Sequence, residues 1–188
     1  MARTIVALAA LCLAATAAAS GPPGPNELAW VKPQPPLPNW QVAVPASGSS
    51  VLWYPPAMKP TPGDNYSVTT ELRNRKGDTI LVFLNAGPRT GNERMDNWPS
   101  FRLEHLRIEG NHAVRKDAEA SGLRFHGGTG RCLIDDYVTH HAGHHYKEIT
   151  CFVQGRTTAS VIVAAALESA WPKYGAWLER AVNAWEVR

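Results

Sequence analysis

The chain has 188 residues, 44% of them hydrophobic and 19% charged, and a net charge of +3. Its basic residues are interspersed with acidic ones rather than gathered in a stripe, which argues against a nucleic-acid partner. The length suits one ordinary domain large enough to bury a real core.

Residues 1–19 have the three regions of a cleavable export signal: the early charge Arg3, an apolar stretch from Ile5 to Leu13, and the small-residue run from Ala14 to Ser20. The apolar stretch is too short to cross a bilayer, which needs about 20 apolar residues. Cleavage after Ala19 leaves about 169 residues, a net charge of +2 and no transmembrane segment in the mature chain. Cys12 lies inside the apolar stretch behind Leu11, a poor context for lipid attachment. The mature protein is therefore expected to be periplasmic or extracellular.

Residues 20–49 are rich in proline, with Pro22-Pro23, Pro35-Pro36 and Pro38, and read as an extended leader ahead of a single domain over 50–188. Trp30, Leu37 and Trp40 are the side chains able to pin parts of it down. Val51 to Tyr54 reads as the first strand. Ser67–Leu72 and Thr79–Asn85 flank a turn at Asn74–Gly77 and form a hairpin. Ile80 to Leu84 and Ser160 to Ala165 are apolar at nearly every position, which predicts strands covered on both faces. The covering helices are expected over Trp98–Ile108, capped by Asp96 or Asn97 with Trp98, Phe101, His105 and Ile108 on one face, and over Ala170–Ala184. In the second, Trp171, Tyr174, Leu178, Ala181, Val182 and Trp185 recur at helical spacing, with Lys173, Arg180 and Asn183 elsewhere. The fold class is α+β: a mostly antiparallel sheet flanked by helices, an α/β/α sandwich with one disulfide.

That disulfide joins Cys132 to Cys151 if Arg131–His140 pairs with His144–Gln154 so that opposed residue numbers sum to 283. The register sets Ile134 against Ile149 and Tyr137 against Tyr146, pairs that favour it. It also sets Asp135 against Glu148, which requires a cation or arginine between them, or a one-residue bulge. The spacing is not Cys-x-x-Cys, so the bond reads as structural rather than redox-active.

Three motifs carry candidate chemistry. The hairpin tip holds His140, His141, His144 and His145, four of the seven histidines, and imidazoles suit Zn or Cu. His126-Gly127-Gly128-Thr129-Gly130 has an oxyanion-loop flavour, but no Gly-x-Ser-x-Gly elbow or P-loop accompanies it, so it reads as a turn. Pro88–Asn97 is a polar connection after a buried strand, where Arg89 and Arg94, with Arg73 and Arg75, are candidates to meet an anion. The carboxylates Asp64, Glu71, Glu93, Asp96, Glu104, Glu109, Asp117 and Glu119 show no spacing that marks a general acid and base.

The order of elements resembles the PsbP-like fold of photosystem extrinsic proteins and bacterial envelope proteins. The likeness lies in Trp53-Tyr54-Pro55 opening the domain, the buried strand Ile80–Leu84 followed by a helix, the late strands around Cys132, Cys151 and Val161, and a closing helix ending near Trp185-Glu186-Val187. It covers about residues 50–188 and implies docking or binding rather than a defined reaction. The expected function is a non-enzymatic exported domain that binds an unknown protein or small molecule, without a cofactor. The alternatives are a Zn- or Cu-binding domain built on the four hairpin histidines, and a hydrolase in which a serine or carboxylate meets His105, His112 or His126.

Overall fold

The computed structural model describes residues 27–61 and 66–188; the export segment 1–19, with Cys12, lies outside the described residues. Ten strands and two helices follow in the order β1 (Gln41–Ala43), β2 (Ser50–Tyr54), β3 (Lys59–Thr61), β4 (Val68–Arg73), β5 (Ile80–Pro88), α1 (Trp98–Ile108), β6 (His112–Phe125), β7 (Gly128–Val138), β8 (His145–Gly155), β9 (Ala159–Leu167), α2 (Trp171–Ala184) and β10 (Glu186–Val187). Seven strands make one antiparallel sheet in the order β3-β4-β5-β9-β8-β7-β6, and β1-β2-β10 make a small second sheet.

The hairpin β7–β8 organises the large sheet. Its opposed pairs run from Gly128↔Gly155 to Val138↔His145 without a shift, so Cys132 meets Cys151, and the two Cα atoms are 4.1 Å apart within a disulfide. Tyr137 and Tyr146 stack at 5.9 Å. At the other end of β7, the two-residue turn His126-Gly127 returns the chain from β6. Gly127 has φ +87, and a Cβ there would lie 1.8 Å from the carbonyl oxygen of Val187, so the glycine-rich run serves the close approach of β10. The outer edge β6 is bulged at three points and bears Arg115, Lys116, Asp117 and Glu119, devices that oppose pairing with another chain.

Alternation along the strands divides the sheet into two faces. Val82, Leu84 and Ala86 of β5 and Ile162, Ala164 and Ala166 of β9 are fully buried, in one cluster with Tyr174, Leu178, Ala181, Val182 and Trp185 of α2. The opposite face carries α1, which packs mainly on β6 and β7 and reaches β8 through Trp98 and Arg102. The prediction that β5 and β9 are covered on both faces therefore fails in part: Phe83, Asn85 and Val161 are only half-buried. A run of apolar residues reports affinity for cover, not the helix that supplies it.

The helices begin and end close to where their sequence signals stand. In α1, however, Ile108 is 74% exposed and His105 half-exposed, while Trp98 and Leu106 are buried. The inward stripe is Trp98, Arg102 and Leu106, because Arg102 turns under the helix to reach Glu148. Asn97 does not cap α1 with its side chain; its Oδ1 accepts the Arg94 N–H at 2.7 Å instead.

Residues 27–49, expected as an extended leader with Trp30, Leu37 and Trp40 able to pin it down, lie against the domain over 50–188, and Trp30 and Trp40 pack on its core. Leu28 and Val31 are 2% and 6% exposed within the main core, and Gln41–Ala43 pairs with β2. A proline-rich segment makes few internal backbone bonds, so its polar groups need outside partners. Asn183 supplies two, accepting from Lys32 N at 2.9 Å and donating to the Trp30 carbonyl at 3.3 Å, and its own carbonyl accepts Gln34 N–H at 2.9 Å. The His126 ring lies 3.0 Å from the Gln34 carbonyl, and Arg180 donates to that of Pro35 at 3.4 Å. Asn183, expected on the outer side of α2, is consequently 5% exposed.

Candidate functional site

The face under α1 carries an unusual group of charges. Asp135 and Glu148 stand opposite one another on β7 and β8, both fully buried. Arg102 descends from α1 and donates to both oxygens of Glu148, Nε to Oε1 at 2.6 Å and Nη2 to Oε2 at 2.7 Å. This is the arginine that the unshifted register demands. Burial works against the Arg102 charge, but Glu148 outweighs it and holds the guanidinium above its usual range. Asp135 has no hydrogen-bond partner for either oxygen. Burial first, then Glu148, pushes its carboxyl well above the ordinary range, and Arg102 only partly opposes them. These surroundings favour the neutral form of Asp135 beside the Arg102–Glu148 ion pair. Tyr137, next along β7 on this face, is likewise raised, mainly by burial.

Beyond this group, where α1 leaves the sheet uncovered, a cleft of about 700 Å³ opens. Its floor is Phe83 and Asn85 of β5 with Val161 and Val163 of β9; one wall is Trp98, Phe101, Arg102, His105 and Glu109, and the other is Tyr66, Ser67, Gly87, Pro88, Thr90, Gly91 and Glu93. Hydrogen bonds tie both floor and wall to the sheet. Asn85 Nδ2 donates to Ser67 Oγ at 3.1 Å and Thr69 Oγ1 at 2.8 Å, and Trp98 Nε1 donates to the Thr150 carbonyl at 3.4 Å. Phe101 stacks between Trp98 and His105, at 6.2 and 6.1 Å. His105 Nε2 meets Glu109 Oε1 at 3.2 Å, both half-exposed. Glu93 is 4% exposed; its Oε1 accepts the Thr90 N–H at 2.7 Å, while its Oε2 has no partner.

No family model and no curated protein matches the chain in sequence. Similarity is found in three dimensions. The solution structure of cyanobacterial PsbP (CyanoP) from Synechocystis sp. PCC 6803 matches with a TM-score of 0.56 at 9% identity, over 79% of this chain and 92% of that one. The chain has a PsbP-like fold. Two further structures match with lower TM-scores: a protein of unknown function from Pseudomonas aeruginosa (0.44, 10% identity, 77% of this chain and 94% of that one), and LpqN, involved in cell envelope biogenesis of Mycobacterium tuberculosis (0.40, 14%, 81% and 80%).

On the PsbP-like frame the motifs singled out in the sequence scatter. The four hairpin histidines do not converge. His140 and His141 have ring centroids 4.6 Å apart, and His140 packs against Gly110 beyond α1. The backbone N–H of His144 donates to Thr139 Oγ1, and the His145 ring sits between Asp136 at 3.3 Å and Glu168 at 2.7 Å. Among the described residues, no group of three or more His, Cys, Asp or Glu is placed to hold a metal ion. Nor do the arginines gather: Arg73 pairs with Glu71 and Arg94 with Asp96, while Arg89 lines a separate hollow of about 310 Å³. His112 lies on the edge strand, and His126 is engaged by the proline-rich segment.

Two residues of the site escaped sequence reasoning in their roles. Arg102 was hidden by its apolar neighbours on α1, although the Asp135–Glu148 opposition called for an arginine. Glu93 had a readable signal, since Thr90-Gly91-Asn92-Glu93 has the Thr-x-x-Glu spacing at which a glutamate reaches back to a backbone N–H.

Proposed function

We propose that the chain is an exported binding domain that holds a small ligand in the cleft between α1 and the β4–β5 hairpin. The observation that carries this reading is the uncovered half of the sheet: an apolar floor walled by aromatic and polar side chains, with a volume inside the roughly 300–1,000 Å³ common for ligand pockets. Export is supported by the signal-like residues 1–19 and by a fully buried disulfide, which belongs in an oxidising compartment. Among the described residues, no helix is long and apolar enough to cross a membrane. Binding is favoured over catalysis because His105 and Glu109 sit at the cleft rim at ordinary i,i+4 helix spacing.

An NMR screen of small aliphatic and aromatic fragments against the disulfide-bonded protein tests the reading. Hits are expected to perturb amides of β5, β9 and α1, and Val161→Trp, which fills the floor, is expected to remove them without lowering Tm appreciably. Hits spread over the surface, or indifferent to that substitution, would refute it.

A further inference from the structure

We propose that the cleft takes a small organic cation, an amine or quaternary ammonium head on an apolar body; this rests on the cleft being a binding site. Glu93 supplies the first reason. Its carboxylate is almost wholly buried in the cleft wall, one oxygen fixed by Thr90 N–H and the other unbonded. A buried carboxylate oxygen without a partner is costly, and an ammonium group restores what it lacks. A Cβ on Gly91 would lie 2.9 Å from Oε2, so a glycine at that position keeps space free beside the oxygen.

The charge balance of the lining supplies the second. Glu93 and Glu109 are its carboxylates, and Arg102 is its permanent cation among the described residues. Arg102 is already engaged by both oxygens of Glu148, and His105 by Glu109. An anion entering here meets no unpaired positive charge, whereas a cation lies beside a carboxylate whose buried Oε2 is unbonded. The third is the ring of Phe83, which lines the floor and is only half-buried. Aromatic rings attract ammonium groups and accept the methyl groups of a quaternary one.

The test is an NMR titration of the full mature, disulfide-bonded protein with three probes of one shape: choline, its neutral isostere 3,3-dimethylbutan-1-ol, and the anion 3,3-dimethylbutanoate. Choline is expected to shift amides of Thr90–Glu93 and β5 and to bind at least tenfold more tightly than the alcohol, while the butanoate leaves these amides unmoved. Glu93→Gln, which preserves the shape of the side chain, is expected to weaken choline at least tenfold, and Val161→Trp to abolish its binding. If the alcohol binds as well as choline and Glu93→Gln changes neither, while Val161→Trp still blocks both, the cation assignment is wrong and the cleft stands. If neither probe moves cleft amides, or choline ignores Val161→Trp, the cleft reading falls too.

Discussion

Replacing Arg102 with methionine removes the one cation that holds Glu148 and leaves two carboxyls facing each other on adjacent strands. Arg102 has 12% of its side chain exposed and Glu148 none, so solvent cannot take over the lost partner. Breaking a buried ion pair from one side costs about 3–5 kcal/mol. That is a large share of the roughly 5–15 kcal/mol that holds a domain folded. For a chain of this size it corresponds to a fall in Tm of about 6–20 °C, at roughly 2–4 °C per kcal/mol. The penalty comes from an uncompensated charge rather than lost packing, so Arg102→Met/Glu148→Gln should recover most of it. Urea unfolding followed by tryptophan fluorescence, with the disulfide intact, measures both variants against the native protein. A loss below about 1 kcal/mol, or a double variant no more stable than Arg102→Met, would refute the reasoning.

Asp135 makes a distinct prediction. Its carboxyl is raised in the folded state, so the folded protein binds more protons than the unfolded chain above the ordinary carboxyl value of about 3.9. Its contribution is fully present below that value and is lost as pH rises through the folded pKa; the advantage of Asp135→Asn over the native protein should therefore grow from about pH 4 upward, and parallel stability curves would contradict this. The double substitution Cys132→Ala/Cys151→Ala should cost about 3 kcal/mol by the chain-entropy model, read as a lower urea midpoint under oxidising conditions, against an unchanged midpoint if the bond does nothing. Asn183→Ala leaves Lys32 N–H without its acceptor and should cost about 1–3 kcal/mol. Hydrogen exchange should accelerate at Lys32 and Gln34 in that variant; unaltered protection there would show that the segment is held by other means.

The fold was legible where it depends on neighbours in sequence. Cys132, Ile134, Tyr137 and their partners on β8 lie within one hairpin, so a single register satisfies the disulfide, the apolar pair and the aromatic pair together. The stripe on α2 follows from helical spacing and is buried as that spacing requires from Tyr174 to Trp185, with Trp171 half-buried at its start. The glycine run was readable as a turn, though the clash that makes Gly127 necessary comes from Val187, at the far end of the chain.

What only tertiary structure decided are contacts between residues distant in sequence. Arg102 meets Glu148 because α1 docks over β6 and β7 and reaches across to β8, and the same docking leaves β5 and β9 half-bare and creates the cleft. Apolar patterning states which surfaces avoid water; it does not state whether a helix, a ligand or a hollow lies against them. Leu28 and Val31 joined the core from a segment whose prolines suggested an extended leader, because α2 and the β6–β7 turn offer hydrogen-bonding side chains where the segment lies. Local spacing thus determined the strands, helices and disulfide, while helix placement determined which charges pair and where the molecule stays open.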